Sequence, residues 1–215
     1  MINHIGIIPD GSRRWAKKNK ISSVKGYFIS MEKLTEVIDF SFSNNVKSVS
    51  AYLSSLKNIQ NRSEANINEF LSSQVYLSSQ LLPALLEKYK FKVNVVGNLY
   101  HIKNEDFVRA ITGLVESTKT NTDLIINILI AYDPVEEIYN SFKTNPHSIK
   151  DGFWVKEDLD LIIRTGVIGR LSDFLPLQSS FAELFFYRKY FPDLTIKDME
   201  NVFAKFLYRK RRFGG

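Results

Sequence analysis

His4-Ile-Gly-Ile-Ile-Pro-Asp-Gly-Ser-Arg-Arg-Trp-Ala-Lys-Lys18 decides the fold. An apolar run, Ile5 to Ile8, stops at Pro9-Asp10-Gly11, and a charged, helix-compatible segment with Arg13, Arg14 and Trp15 begins at once. The pattern predicts a buried strand, a tight turn and a helix start, with one acid and two arginines beside the turn. Unpaired N–H groups at a helix start attract anions, phosphate above all. Arginine adds a planar fork that fits phosphate oxygens. An aspartate in the same turn can hold Mg²⁺ or take a proton. A diphosphate site at the tip of the first strand is therefore expected. Taken alone, the stretch also reads as a plain turn followed by a solvated helix face. A second cluster far along the chain favours the site.

That cluster spans residues 158–186. Its apolar run, Leu159 to Ile163, delivers Arg164 at its end, and a glycine-bearing loop with Arg170 and Ser172 follows. Then Phe181-Ala-Glu-Leu-Phe-Phe186 sets Glu183 among aromatic side chains. Burying an unpaired carboxylate is costly, so Glu183 needs a metal or an arginine.

Outward from these two stretches, apolar runs near 3–9, 47–53, 91–97, 124–130 and 159–164 read as strands. Periodic segments near 28–44, 64–88, 104–119, 134–142 and 195–208 read as helices. The alternation predicts an α/β fold with a mostly parallel central sheet flanked by helices. Ligands in such sheets sit beyond the carboxyl ends of strands, where both Asp10 and Arg164 fall. The loop over Thr144–Gly152 reads as a flexible connection.

With 215 residues, 44% of them hydrophobic, the chain supports one core and a single domain over 1–215. No run is long enough to span a membrane and no secretory signal is visible, so at most peripheral membrane contact is expected. The absence of cysteine excludes a disulfide framework and makes a cytoplasmic location the expectation. A net charge of +6 fits an anionic partner. No zinc spacing, helix-turn-helix cue or RNA-binding signature accompanies it, so nucleic acid is not expected.

The two clusters, taken in order, resemble the cis-prenyltransferases, the family of undecaprenyl diphosphate synthase. Asp10-Gly11 with Arg14 and Trp15, Ile163-Arg164-Thr165, Arg170 with Ser172, and Ala182-Glu183-Leu184 match that family's motifs. So do Val93-Asn-Val-Val-Gly97, Leu124-Ile-Ile-Asn-Ile128 with Ala131-Tyr132, and Arg211-Arg-Phe-Gly-Gly215. The resemblance implies that Asp10 is the central catalytic residue and a Mg²⁺ ligand. It places Ser12 where an asparagine helps position the reaction. It implies substrate contacts for Gly11, Arg13, Arg14, Trp15, Asn58, Arg62, Arg164, Arg170 and Ser172. It makes Glu183 a metal ligand supplied to the neighbouring subunit, and hence implies a homodimer whose basic tail reaches the partner's site.

Several family positions differ. A Gly-His-x-x-Gly segment reads Gly26-Tyr-Phe-Ile-Ser30, a Glu and a Trp are missing from the segment Ser54–Ser63, and a Gly-Gly has become Asp133-Pro134. These losses fall on groups that bind isopentenyl diphosphate. The remaining pattern is similar to a divergent branch that includes the cyclolavandulyl and isosesquilavandulyl diphosphate synthases. Expected is a Mg²⁺-dependent condensation of dimethylallyl diphosphate, or a longer allylic diphosphate, with a second five-carbon diphosphate, giving a short irregular product. Regular cis-polyprenyl synthesis with isopentenyl diphosphate is the alternative, and a non-catalytic subunit a further one. No Asp-Asp-x-x-Asp motif supports the trans-prenyl synthase fold.

Overall fold

The computed structural model describes residues 1–166 and 169–209. Six strands form one sheet: β1 (His4–Ile8), β2 (Ser48–Tyr52), β3 (Phe91–Val96), β4 (Leu124–Leu129), β5 (Leu161–Thr165) and β6 (Glu183–Tyr187). Their order is β3-β4-β2-β1-β5-β6, and every neighbouring pair is parallel. The five expected strands are all present, and β6 is an addition. It is a half-exposed edge strand opened by an acid, so it lacks the unbroken apolar run that marks central strands of a parallel sheet.

Eight helices supply the crossovers among the described residues: α1 (Ser12–Lys18), α2 (Ser23–Ser43), α3 (Leu56–Gln60), α4 (Glu64–Tyr76), α5 (Leu82–Leu86), α6 (Glu105–Thr118), α7 (Pro134–Thr144) and α8 (Ile196–Tyr208). The helix expected over 64–88 divides at a π-helical stretch, Leu77–Leu81. Pro83 lies just beyond it, and a proline inside a helix lacks an N–H and crowds the preceding turn. α2 starts five residues before the apolar period does, because the Ser22 hydroxyl accepts from the Lys25 N–H and caps it. Where a loop was expected after Thr144, a short 3₁₀ turn, Ile149–Gly152, folds back on α7, and the Ser141 hydroxyl donates to the Ile149 carbonyl. No helix among the described residues is long and apolar enough to cross a membrane.

The two faces of the sheet are built differently. Ile5, Ile7, Val49, Ala51, Val93, Ile126, Ile128 and Ile163 form a hydrophobic layer with Leu34, Ile38, Phe107, Met199 and Val202 from the helices. The opposite face carries Ile8, Tyr52, Leu129 and Ile162 beneath Leu159, Phe174 and Leu175. Toward the start of the strands that second face turns polar. Asn94 donates to Asn127 at 3.0 Å, Asn127 donates to Ser50 at 3.0 Å, and a His4 ring nitrogen lies 2.8 Å from the same Ser50 hydroxyl. Buried polar groups are stable only when paired, and this ladder pairs them across four strands.

β1 pairs with β2 on one side and β5 on the other, so the chain changes winding direction there and opens a crevice beyond the carboxyl ends of β1 and β5. The turn after β1 and the end of β5 are thereby placed side by side.

Burial holds the His4 imidazole below its ordinary proton affinity, against the pull of Glu157 and Asp160. The unfolded chain takes up a proton near about pH 6.5 and the folded chain only at lower pH. Stability is therefore full above that value and falls as the pH drops through it. The melting temperature should decline between about pH 7.5 and 5.5, and His4→Gln should flatten that slope; a wild-type curve with no slope contradicts it.

Candidate active site

Beyond the carboxyl ends of β1, β2 and β5 lies a pocket of about 430 Å³. Five arginines line it, Arg13, Arg14, Arg62, Arg164 and Arg170, against a single carboxylate, Asp10. That imbalance is the mark of a site for a multiply charged anion.

The local chain geometry fixes these groups. Gly11 precedes α1 at φ 108, and a Cβ there would come within 2.5 Å of the Tyr190 ring, so only glycine fits. α1 carries no side-chain cap at its start. Asp10 is locked by its backbone: its N–H donates to Thr165 Oγ1, and the Thr165 hydroxyl lies 3.0 Å from its carbonyl. Gly166, at φ 77, passes so close that a Cβ would stand 2.7 Å from the Asp10 carbonyl. One Asp10 oxygen accepts from Arg14 at 2.7 Å and the other from Arg164 at 3.2 Å.

Arg164 is only 4% exposed. Its guanidinium donates to Asp10, to the Arg170 carbonyl at 2.7 Å and to Ser172 Oγ at 2.8 Å. The loop that it holds is strained: Ser172, Asp173 and Leu175 all have positive φ, at 54, 67 and 39. Such backbone persists where surrounding contacts over-determine it. Besides Arg164, the Tyr52 hydroxyl donates to the Ser172 carbonyl at 3.0 Å. Burial pushes the Tyr52 phenol well above its ordinary range and keeps it a donor.

Arg62 differs from its neighbours. It lies over the Phe70 ring at 5.3 Å, its Nη1 is buried without a partner, and no acid among the described residues pairs with it. Burial lowers its proton affinity. The Tyr27 hydroxyl, also in the pocket wall, likewise has no partner. Both atoms are buried and unpaired in residues that line the pocket, which is costly unless an acceptor reaches them.

Of the residues singled out from the sequence, Asp10, Gly11, Ser12, Arg13, Arg14, Asn58, Arg62, Arg164, Arg170 and Ser172 line this one pocket. Asn58 also serves α3, closing a capping box with Ser55. The structure does not bring Trp15 in. One residue past Arg14 on the helix, it points away and donates to Asp193 at 2.7 Å. Glu183 is also elsewhere. It stands level with Leu161 and Ile5, at the amino ends of the strands, which is ~10 Å along and ~10 Å across the sheet from the level of Ile8. There it pairs with Arg209. The tail motif Arg211–Gly215 lies outside the described residues.

Asp10 and Glu183 of one chain therefore do not share a metal, and no group of three or more metal-binding side chains occurs among the described residues. The donor set nonetheless fits Mg²⁺ arriving with a diphosphate, since that ion commonly rests on one carboxylate plus substrate phosphate oxygens. Tyr27, Met31, Tyr52 and Phe70 complete the wall and were not singled out from the sequence. Their signal is weak, because a large buried side chain on a helix or a central strand usually serves the core.

The chain matches the prenyltransferase family model of undecaprenyl diphosphate synthase over residues 8–214. A Streptococcus pyogenes isoprenyl transferase is 31% identical, over 98% of this chain and 92% of that protein. The crystal structure of lavandulyl diphosphate synthase from Lavandula x intermedia, in complex with dimethylallyl diphosphate, superposes with a TM-score of 0.91 at 22% identity, covering 100% of this chain and 98% of the other. A probable undecaprenyl diphosphate synthase from Campylobacter jejuni superposes at 0.77 with 26% identity, covering 100% and 99%.

Inorganic diphosphate at ~100 times its Kd should raise the melting temperature by ~5–10 °C. Arg164→Lys keeps a charge but loses the fork, so it should abolish most of that rise. A wild-type protein whose melting temperature ignores diphosphate contradicts the site.

Proposed function

The chain belongs to the undecaprenyl diphosphate synthase family of isoprenyl transferases, and from that premise we propose that it condenses dimethylallyl diphosphate with a second five-carbon diphosphate to give a short, irregular, head-to-middle terpene diphosphate. The observation that carries this reading is the pocket itself, which five arginines and one aspartate line together with Tyr27, Tyr52 and Phe70. The positions at which the family binds isopentenyl diphosphate are altered here, with Tyr27 in place of a histidine and Lys57 and Ile59 where a Glu-Asn-Trp segment would run. The backbone of the lavandulyl diphosphate synthase, which holds dimethylallyl diphosphate, follows this chain more closely than that of the Campylobacter protein. Retention of Asp10, Arg164, Arg170 and Ser172 in one pocket argues against a non-catalytic subunit.

In this mechanism Arg13, Arg14 and Arg62 take the allylic diphosphate near Gly11. Arg164 and Arg170, with Ser172, take the second diphosphate. The allylic C–O bond breaks as the double bond of the second substrate attacks that carbon, and a proton leaves to restore a double bond. Negative charge grows on the departing diphosphate, and fixed guanidinium groups in a partly dehydrated site stabilise it without reorganising. Asp10 would hold Mg²⁺, which when bound would supply further stabilisation of that charge. Asp10 also orients Arg14 and Arg164 between the two heads. Glu183 lies away from this pocket, and its proposed role, with that of the basic tail, is in a homodimer, where each would serve the partner's site.

Incubation with Mg²⁺ and dimethylallyl diphosphate alone should yield a branched or cyclic ten-carbon product, read by mass after dephosphorylation. Products that form only when isopentenyl diphosphate is added, as a ladder of longer cis-prenols, would instead make the chain a regular elongating synthase. Asp10→Asn, which keeps an acceptor beside Arg164, should stay folded and lose roughly 10²-fold or more in turnover, and chelation of Mg²⁺ should have a comparable effect.

A further inference from the structure

A second pocket, of about 660 Å³, opens on the face of the sheet that carries the Asn94–Asn127–Ser50 ladder, and the reaction above makes no use of it. Both faces of a parallel sheet are normally covered. Here the amino half of β3 and β4 is left open on that side, where Lys92, Asn94 and Ile125 are only half-buried. Three kinds of group follow one another along this groove. Trp154 stands toward the carboxyl ends of the strands, packed against the cluster of Val96, Leu129 and Tyr132. Asn94 and Asn127 are cross-strand neighbours in the middle. Lys92 lies two residues nearer the amino end, ~7 Å further on, and Lys156 and Glu157 line the same pocket from the segment after Trp154. Neither lysine has an acid partner among the described residues. Asn94 gives one N–H to Asn127, and its carbonyl oxygen and second N–H have no partner among the described residues.

We propose that this groove is an effector site for an adenosine phosphate. The half-exposed Trp154 ring offers a surface on which a purine stacks. The spare oxygen and N–H of the Asn94 carboxamide match the amino donor and ring acceptor that adenine presents side by side. The phosphate falls to the two lysines. Glu157 is an acceptor for ribose hydroxyls, the part that an acid plays in dinucleotide sites. A prenyl chain is excluded as the occupant, because it would cover these polar groups and satisfy none of them.

Occupancy of the groove is felt among the arginines. The Trp154 N–H donates to the buried Glu137 carboxylate at 2.9 Å, and that carboxylate also accepts from the Tyr132 hydroxyl. The Trp154 and Tyr132 rings meet edge to face at 6.2 Å, and Tyr132 meets Tyr52 in the same way at 6.1 Å. Tyr52 lines the arginine pocket and holds the Ser172 carbonyl. Two ring contacts thus join the groove to the strained loop. A ligand that steadies Trp154 meets in advance part of the ordering cost of diphosphate binding, so each ligand favours the other.

The test titrates adenosine monophosphate into the Trp15→Phe protein, in which Trp154 is the one tryptophan left, with inorganic diphosphate saturating the arginine pocket. Binding should quench the Trp154 fluorescence. Lys92→Glu combined with Lys156→Glu should weaken that binding about tenfold and leave prenyl turnover without nucleotide unchanged. Calorimetry on the wild type should show diphosphate binding about fivefold tighter when the nucleotide is present, and the nucleotide tighter by the same factor when diphosphate is. No quenching at millimolar nucleotide overturns the proposal. Binding that the two charge reversals leave unchanged, or that saturating diphosphate abolishes, overturns it too, since the nucleotide would then lie elsewhere. A diphosphate affinity indifferent to bound nucleotide overturns it as well.

Discussion

Arg164 is a guanidinium at the end of a buried strand, only 4% exposed. A buried guanidinium has to be surrounded by acceptors, and the chain supplies three from different places: Asp10 after β1, the Arg170 carbonyl and the Ser172 hydroxyl. Satisfying that one group draws the first-strand turn and the 170–175 loop to the same point. Removing one partner would leave the others to carry a buried charge, which is why such clusters behave as units. Its Nε still lacks a partner, so one donor remains beside the pocket.

The rest of the site leans on that arrangement. The three left-handed residues of the 172–175 stretch are held by Arg164 on one side and by the Tyr52 phenol on the other. Backbone strain of this kind costs on the order of 1–3 kcal/mol per residue and has to be met by contacts elsewhere. The loop is thereby held by the protein's own groups. Preformed donors of that sort lower the ordering cost of binding.

Much of this was legible in the residues because it rests on local chemistry. An apolar run ended by Asp-Gly announces a strand tip, and a second run ended by Arg164 announces another; parallel strands bring such tips to one edge of the sheet. Less legible was anything set by tertiary packing. β6 escaped because an edge strand needs no unbroken apolar run. Trp15 was misplaced because a helix turns about 100° per residue, so the neighbour of Arg14 faces elsewhere. Tyr27 reads as a lost histidine in sequence and becomes a wall only when α4 is laid against α2. For Glu183 the sequence leaves a metal or an arginine open, and within the described residues it pairs with Arg209. Nothing local could say that it lies at the far end of the sheet from Asp10.

The ladder of Asn94, Asn127, Ser50 and His4 has a bearing on descent as well as on stability. An apolar layer drifts residue by residue, since volume is shared loosely among many neighbours. A chain of buried hydrogen bonds does not, because changing one member leaves the next unpaired. The four positions should therefore be inherited as a block, replaced together or not at all. They lie on β3, β4, β2 and β1, spread along the chain from residue 4 to residue 127, and so bind the histories of four strands.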